Sequence, residues 1–210
     1  MFTGIIEQVG KVVEITEKPG AKRFVIQHRF SRLLAIGESI GIDGACQTVQ
    51  ETGAQEFTVE SMQETLNRTT LSAYGEGSLV NLERSLQLSD RLSGQLVSGH
   101  VDATGVVEEI TLNPNSKTIA ISYPSNFSKY IVPKGNIVVN GISLTVINCS
   151  PGQFEVGIIP YTWDNTNLRQ LKSQSTVNLE FDLIAKYLEG ILSNKSAQPI
   201  SFDFLRKAGW

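Results

Sequence analysis

The chain has 210 residues, 40% hydrophobic and 19% charged, with a formal net charge of −3, and that length accommodates two domains of about a hundred residues, each able to close a core of its own. Lys and Arg are scattered and aromatics make up only 8%, which argues against the basic, ring-lined groove of a nucleic-acid binder. No apolar stretch approaches the roughly 18 residues of a membrane span, and Met1 leads at once into an alternating segment with no sign of a signal peptide, so a cytoplasmic protein without membrane or nucleic-acid partners is expected.

Short segments rich in Val, Ile, Thr and Phe follow, broken by Gly, Pro and Asn. Strands are expected at Val9 to Ile15, Phe24 to Gln27, Ser39 to Ile42, Gln47 to Glu51, Phe57 to Ser61 and Leu79 to Glu83. A turn is expected at Lys18-Pro19-Gly20-Ala21, and short helices at Ser31 to Ala35 and Thr65 to Leu71. About six strands in under a hundred residues predict a closed or nearly closed barrel, because closure removes the edges that a small sheet leaves exposed. Gln87 to Val97 is polar, carries Ser and Gly, and suits a linker.

Beyond the linker the chain repeats itself. Phe57 to Leu71 return as Phe154 to Leu168, and the tetrapeptide VNLE stands at Val80 to Glu83 and again at Val177 to Glu180, 97 positions apart. Asp43 to Val49 (DGACQTV) align with Asn140 to Val146 (NGISLTV), and Phe30 to Leu34 with Phe127 to Ile131, at the same offset. Gly4 to Ile15 align with Gly99 to Ile110 at an offset of 95, so the second copy has gained two residues in a loop. This period is too long for solenoid units of roughly 20 to 50 residues, and two copies of a whole small domain are expected. A turn at Asn113-Pro114-Asn115-Ser116 and short helices at Ser128 to Val132 and Thr162 to Leu168 follow by equivalence. After the second copy the period becomes helical: Leu183, Ile184, Tyr187, Leu188, Ile191 and Leu192 form a stripe that either caps its own barrel or joins chains. Ile200 to Trp210 can add a second helical piece. The two cysteines, Cys46 and Cys149, are too few for a disulfide framework and lack zinc-ligand spacing, and Cys149 reads as an ordinary free thiol.

MFTGIIE at Met1 to Glu7, the paired G-x-C/S-x-T-V words and SGHVD at Ser98 to Asp102 resemble the riboflavin synthase family of duplicated lumazine-binding proteins, over nearly the whole chain. The resemblance implies an all-β fold of two six-stranded Greek-key barrels, with barrels at residues 1–96 and 97–182 and a helical trimerisation segment at 183–210. It further implies a homotrimer whose sites lie between the first barrel of one subunit and the second barrel of a neighbour. The implied reaction is a transferase dismutation of two 6,7-dimethyl-8-ribityllumazine molecules into riboflavin and 5-amino-6-ribitylaminouracil, with no cofactor and no metal. An association with lumazine synthase is a further implied partner. A duplication suits such chemistry: two similar pockets facing each other make a bimolecular encounter local, worth roughly 7 to 11 kcal/mol of barrier. The copies must still differ, since one molecule donates four carbons and the other accepts them.

The asymmetries therefore draw attention. Cys46 is matched by Ser143, each followed two residues on by a threonine, Thr48 or Thr145, on the same strand face. Gln47 and Leu144 lie between them. His100 fills the slot that Ile5 has in the first copy, and an imidazole there can act as base near neutrality. By resemblance, Ser39, matched by Asn136, holds the water or hydroxyl that adds to the acceptor ring, and Asp182, matched by Ser85, approaches the site from the end of the second barrel. Lys134 can reach ligand oxygens. The segments Glu60, Ser61, Met62, Gln63, Glu64, Thr65 and Gly157, Ile158, Ile159, Pro160, Tyr161, Thr162 would supply backbone groups to the ring and hydroxyls to the ribityl chain. Gly4, Ile5, Ile6 and Gly99, His100, Val101 would close the pockets from the other side.

The family often reads GGHxxxGH where this chain has SGQLVSGH, and Asn140 replaces an aspartate seen in some members, so neither Gln95 nor Asn140 is expected to be essential. His28 sits near a turn without a motif and is given no role. A non-catalytic lumazine or flavin carrier of the same fold is the alternative, against which Ser39, Cys46 and His100 weigh.

Overall fold

The computed structural model describes residues 1–113 and 116–194, together with Arg206. The first copy forms β1 (Gln8–Lys18), β2 (Ala21–Gln27), β3 (Ser39–Ile42), β4 (Ala45–Thr52), β5 (Glu56–Met62) and β6 (Leu79–Arg84), with α1 (Gln63–Arg68) between the last two. The second forms β7 (Ala103–Asn113), β8 (Ser116–Ser122), β9 (Asn136–Val139), β10 (Ile142–Ser150), β11 (Gln153–Ile158) and β12 (Thr176–Phe181), with α2 (Pro160–Asn165) before β12. Each set closes into an antiparallel barrel, in the orders β1-β2-β5-β4-β3-β6 and β10-β11-β8-β7-β12-β9, which are one Greek-key circuit in two copies. A helix, α3 (Leu183–Asn194), follows. No helix among the described residues is long and apolar enough to cross a membrane.

Period-two alternation builds the barrels. Ala45, Gln47 and Val49 turn inward on β4 while Cys46 and Thr48 turn out, and Ile142, Leu144 and Val146 on β10 do the same around Ser143 and Thr145. Inside the first barrel Val12, Phe24, Ile26, Ile40, Phe57, Val59 and Leu82 are buried, and inside the second Val107, Ile119, Ile121, Ile137, Phe154, Val156 and Leu179. Register slips fall at equivalent places, Val12/Glu14 and Val107/Glu109, then Val49/Glu51 and Val146/Asn148, and such bulges bend a strand sharply enough for a small barrel to close. The β3–β4 and β9–β10 hairpins turn on Asp43-Gly44 and Asn140-Gly141, all four with positive φ, as a two-residue type I′ turn demands.

The offset of 95 persists through β8 and becomes 97 at β9, so the two gained residues lie between β8 and Ile131. They lengthen a loop that holds a 3-10 helix at Ser125–Tyr130, earlier than the helix expected at Ser128 to Val132. No helix forms at Ser31 to Ala35. There the Glu38 carboxylate accepts the Ala35 amide at 2.9 Å, taking the donor that a helical turn would have used. The Thr65 to Leu71 and Thr162 to Leu168 segments each break into an α-helix and a following 3-10 turn, at Thr70–Ala73 and Asn167–Gln170. The Thr69 and Thr166 hydroxyls donate to the Thr65 and Thr162 carbonyls at 2.7 Å and cap the next turn. Pro114, Asn115 and the helical piece expected at Ile200 to Trp210 lie outside the described residues, apart from Arg206, which is helical.

The apolar stripe of α3 does not cap its own barrel. Ile184, Tyr187, Leu188, Ile191 and Leu192 are each between 55% and 68% exposed. The helix is held instead by its polar side, through Lys129–Glu189 and Lys186–Asp102 ion pairs at 2.7 and 2.6 Å. The linker is not loose either: Gln95 to Val97 pair with the start of the chain, Phe2 and Val97 exchanging amide–carbonyl bonds at 2.8 and 3.0 Å.

Candidate active site

The two VNLE words join the halves of the molecule. Val80, Leu82, Val177 and Leu179 fill the cores, while the polar pair in each word reaches out of its own barrel. Asn81 Nδ2 donates to the Asn140 carbonyl and to Asn167 Oδ1, both at 2.9 Å, and Asn178 Nδ2 donates to the Asp43 carbonyl at 2.9 Å. In return Asn81 Oδ1 accepts the Asn167 amide and Asn178 Oδ1 the Thr70 amide, each at 2.8 Å. The junction is thus a buried pseudo-twofold, and it brings the two I′ turns so close that a Cβ on Gly44 would stand 2.8 Å from the Gly141 nitrogen. The symmetry breaks at Thr70 and Asn167, since only Asn167 bonds the facing asparagine with its side chain, and at Asp43 and Asn140. Asn140 Oδ1 accepts the Asn178 amide at 2.8 Å, whereas the Asp43 carboxylate accepts the Asn81 amide at 2.7 Å, Asn167 Nδ2 at 2.9 Å and the Tyr74 hydroxyl. No cation answers Asp43 among the described residues, and burial pushes its carboxyl up to about 7, the hydrogen bonds only partly opposing the shift.

The glutamates of the same words clamp the leading segments. Thr3 donates its amide (2.6 Å) and hydroxyl (2.7 Å) to Glu83 Oε1, and the Gly4 amide donates to Oε2 at 3.0 Å. Ser98 and Gly99 repeat this on Glu180, at 2.7, 2.7 and 3.0 Å. Burial raises the Glu83 carboxyl above its usual range, the Thr3 and Gly4 bonds opposing the shift. Each segment then crosses to the other barrel. The Ser143 amide on β10 donates to the Gly4 carbonyl, and the Cys46 amide on β4 to the Gly99 carbonyl, both at 2.8 Å. The approach requires glycine: with φ near +80°, a Cβ on Gly4 would lie 2.6 Å from Ser143 Cβ, and one on Gly99 2.7 Å from Cys46 Cβ.

Two equivalent surface patches result, each a candidate groove. The first gathers Ser39, Cys46 and Thr48 on the outer face of β3 and β4, with Ser39 opposite Thr48, beside Gly99, His100 and Val101. Glu60, Met62, Glu64 and Thr65 follow on β5 and α1. The second gathers Ser143 and Thr145, opposite Asn136, with Gly4, Ile5 and Ile6, and then Gly157, Ile159, Pro160, Tyr161 and Thr162. Each groove therefore takes its strand from one barrel and its closing segment from the other, with His100 next to the glycine that meets Cys46 and Ile5 next to the one that meets Ser143. Both are open in the single chain: Met62, Ile159 and Tyr161 are 71%, 63% and 74% exposed.

Some expected residues sit differently. Gln47, Ser61, Leu144 and Ile158 point inward and are buried, and Ser61 donates to Gln47 Oε1 at 2.7 Å inside the first barrel, so these positions can offer only backbone groups to a groove. Gln63 donates to Asn67, and Glu64 pairs with Arg68 along α1. Asp182 caps α3, its carboxylate accepting the Ile184 and Ala185 amides at 2.8 and 3.3 Å. Lys134 is exposed with φ of 64° where the first copy has Gly37, a strained backbone of the kind that clusters at functional sites. His28, buried against Phe30 and Phe57, occupies the place of Tyr123 in the second barrel; burial lowers its pKa and its part is in the core. The sequence reading missed Asn81, Asn178, Glu83 and Glu180, although the verbatim return of VNLE was their signal. It also set aside Gln95, which is buried and accepts the Ser143 hydroxyl at 2.8 Å.

Duplicated six-stranded barrels that exchange their leading segments define a tandem-barrel protein. The lumazine binding domain model matches residues 3–85 and again 98–182. The chain is 41% identical to a riboflavin synthase of Actinobacillus pleuropneumoniae and 35% identical to that of Bacillus subtilis, in both cases over 100% of either chain. It therefore belongs to the lumazine-binding family. Among solved structures it is similar in fold to LumP complexed with riboflavin, with a TM-score of 0.80 and 23% identity over 86% of this chain and 99% of that one. LumP complexed with 6,7-dimethyl-8-(1'-D-ribityl) lumazine gives a TM-score of 0.78 at the same identity and coverage.

Proposed function

We propose that the chain is a riboflavin synthase, a transferase that passes a four-carbon unit from one molecule of 6,7-dimethyl-8-ribityllumazine to another and releases riboflavin and 5-amino-6-ribitylaminouracil. The observation that carries this reading is the full-length identity with riboflavin synthases across both barrels. Two grooves of like build and unlike side chains, Cys46 with His100 and Ser143 with Ile5, agree with a reaction between two copies of one molecule.

Each groove takes one lumazine. Backbone groups of Glu60 to Thr65 and Gly157 to Thr162 face the rings, and Thr48, Thr145 and Lys134 take ribityl or ring oxygens. The donor's ring methyl loses a proton before it attacks, and the His100 imidazole accepts it. Ser39 holds the water or hydroxyl that adds to the acceptor, Cys46 donates a hydrogen bond to the adduct, and Asp182 acts from the start of α3. The open apolar walls at Met62, Ile159 and Tyr161 and the bare stripe on α3 support an assembly in which the first groove of one copy meets the second groove of another. A homotrimer joined through residues 183–210, with barrels at 1–96 and 97–182, meets both needs. Residence in the cytoplasm and an association with lumazine synthase belong to the same reading.

The test is direct: purified protein is mixed with the lumazine alone and absorbance is followed for riboflavin. Riboflavin formation is expected. Tight binding of the lumazine without flavin formation would instead make the chain a carrier.

A further inference from the structure

We propose that Gln95 is a positioning residue of the second groove, fixing the Ser143 hydroxyl and through it the ring bound there. This rests on the synthase reading above and goes beyond it, since resemblance alone set Gln95 aside.

The Gln95 side chain is 6% exposed and its path is pinned. Its amide donates to the Thr3 carbonyl at 2.9 Å, and the preceding Gly94 has no room for a side chain, since a Cβ there would stand 2.1 Å from the same oxygen. Ser143 is caught between two fixed neighbours: its amide donates to the Gly4 carbonyl at 2.8 Å and its hydroxyl to Gln95 Oε1 at 2.8 Å. Turning the Gln95 amide over reverses the donor and keeps the pair. The other end of that amide, Nε2, is enclosed and has no partner among the described residues. An unpaired buried amide destabilises a fold, and a leucine of similar size would avoid the cost. A glutamine kept at a net cost, with its one side-chain bond directed at a groove residue, is placed for the groove and not for the core. Cys46, the counterpart of Ser143, has no such side-chain partner among the described residues, so Gln95 also makes the two grooves unlike, as a donor and an acceptor site must be.

The experiment uses the full chain and four variants: Gln95→Leu, Gln95→His, Ser143→Ala, and Gln95→Leu with Ser143→Ala. Turnover of the lumazine, riboflavin affinity by fluorescence titration and thermal midpoint are measured for each. Gln95→Leu is expected to lower kcat/KM roughly tenfold, about the worth of one positioning hydrogen bond, with the larger part in KM and with a midpoint unchanged or raised. Gln95→His, which can still accept from Ser143, should stay within about threefold of the parent. In the Ser143→Ala background the leucine should add no further loss, in turnover or in affinity. Losses that multiply in the double variant overturn the proposal, as does a midpoint that falls by several degrees with kcat/KM intact. Gln95→Met against Gln95→His carries the same comparison if the leucine variant does not fold. A parent chain that forms no riboflavin sinks the synthase reading alone, because the Gln95–Ser143 coupling is still read from riboflavin affinity.

Discussion

Replacing Gly99 by alanine tests the crossing of the leading segments. The residue has φ of +81°, and its Cβ would meet Cys46 Cβ at 2.7 Å, Phe2 Cε2 at 2.8 Å and the Cys46 amide nitrogen at 3.2 Å. The left-handed backbone costs an alanine about 1–2 kcal/mol. Carbon contacts are comfortable only near 3.5–4.0 Å, so the segment must also lift by about 1 Å, and overpacking of this kind costs about 1–3 kcal/mol. Gly20→Ala is the control, since that residue has φ of +73° with no heavy atom within 4 Å of its Cβ position and bears the backbone term alone. Gly99→Ala should therefore be less stable than Gly20→Ala by about 1–3 kcal/mol, a difference of roughly 1 M in urea midpoint for a slope of about 1–3 kcal/mol/M. Turnover should fall further, about a hundredfold, because His100 is carried by the displaced segment and an error of about 1 Å is felt on that scale. A Gly99→Ala protein as stable and as active as Gly20→Ala would show that the segment is not pressed onto β4.

His100→Gln should slow turnover by at least roughly tenfold with lumazine affinity nearly intact; unchanged turnover removes the imidazole from the chemistry, and lost affinity makes it a ligand-positioning group. Asp43 holds its proton up to about pH 7 when folded against an ordinary 3.8, so its contribution to stability is full below about pH 4, declines as pH rises toward 7 and is level above that. Asp43→Asn, which copies the Asn140 of the second barrel, should flatten that slope and leave the variant more stable than the parent at pH 8 by the order of a few kcal/mol; calorimetric profiles from pH 4 to 8 that run parallel would contradict this. Removing residues 183–210 should leave a soluble monomer of much reduced activity by sedimentation and turnover, and a full-length chain that sediments as an active monomer would refute the shared site.

The barrels were legible because alternation and duplication report the same thing twice. Ser39 to Ile42 was read to its true ends, and other strands differ by a few residues where polar rims such as Thr16 to Lys18 continue the ladder without an apolar signal. Local preference failed at Ser31 to Ala35, where the Glu38 carboxylate, seen in sequence only as a following residue, outcompetes the helix for the Ala35 amide. The grooves were legible as matched words, since Cys46 and Thr48, or Ser143 and Thr145, share a face by strand period alone. Their closure was not. Nothing in the order of residues says that Gly99 rests on the first barrel and Gly4 on the second, for that contact depends on how two finished barrels meet. The asparagines and glutamates of VNLE show why: in an isolated strand they read as polar exceptions, and it takes the pseudo-twofold to give the asparagines partners and the folded-back leading segments to give the glutamates theirs. Gln95 was set aside because comparison with a motif registers a change of residue type, whereas its bond to Ser143 spans 48 positions.

The exchange of leading segments also sets a timetable for synthesis. Gly4 is made long before its partner, since the amide that receives its carbonyl belongs to Ser143, 139 residues later. At about 5–20 residues per second, the Gly4 segment waits roughly 7 to 28 seconds for its seat. Phe2, buried at 2% in the finished protein, has neither Val97 nor Val138 to cover it when the first six strands can already close. A nascent first barrel is thus a body with one sticky end, and the second barrel completes it as well as duplicating it.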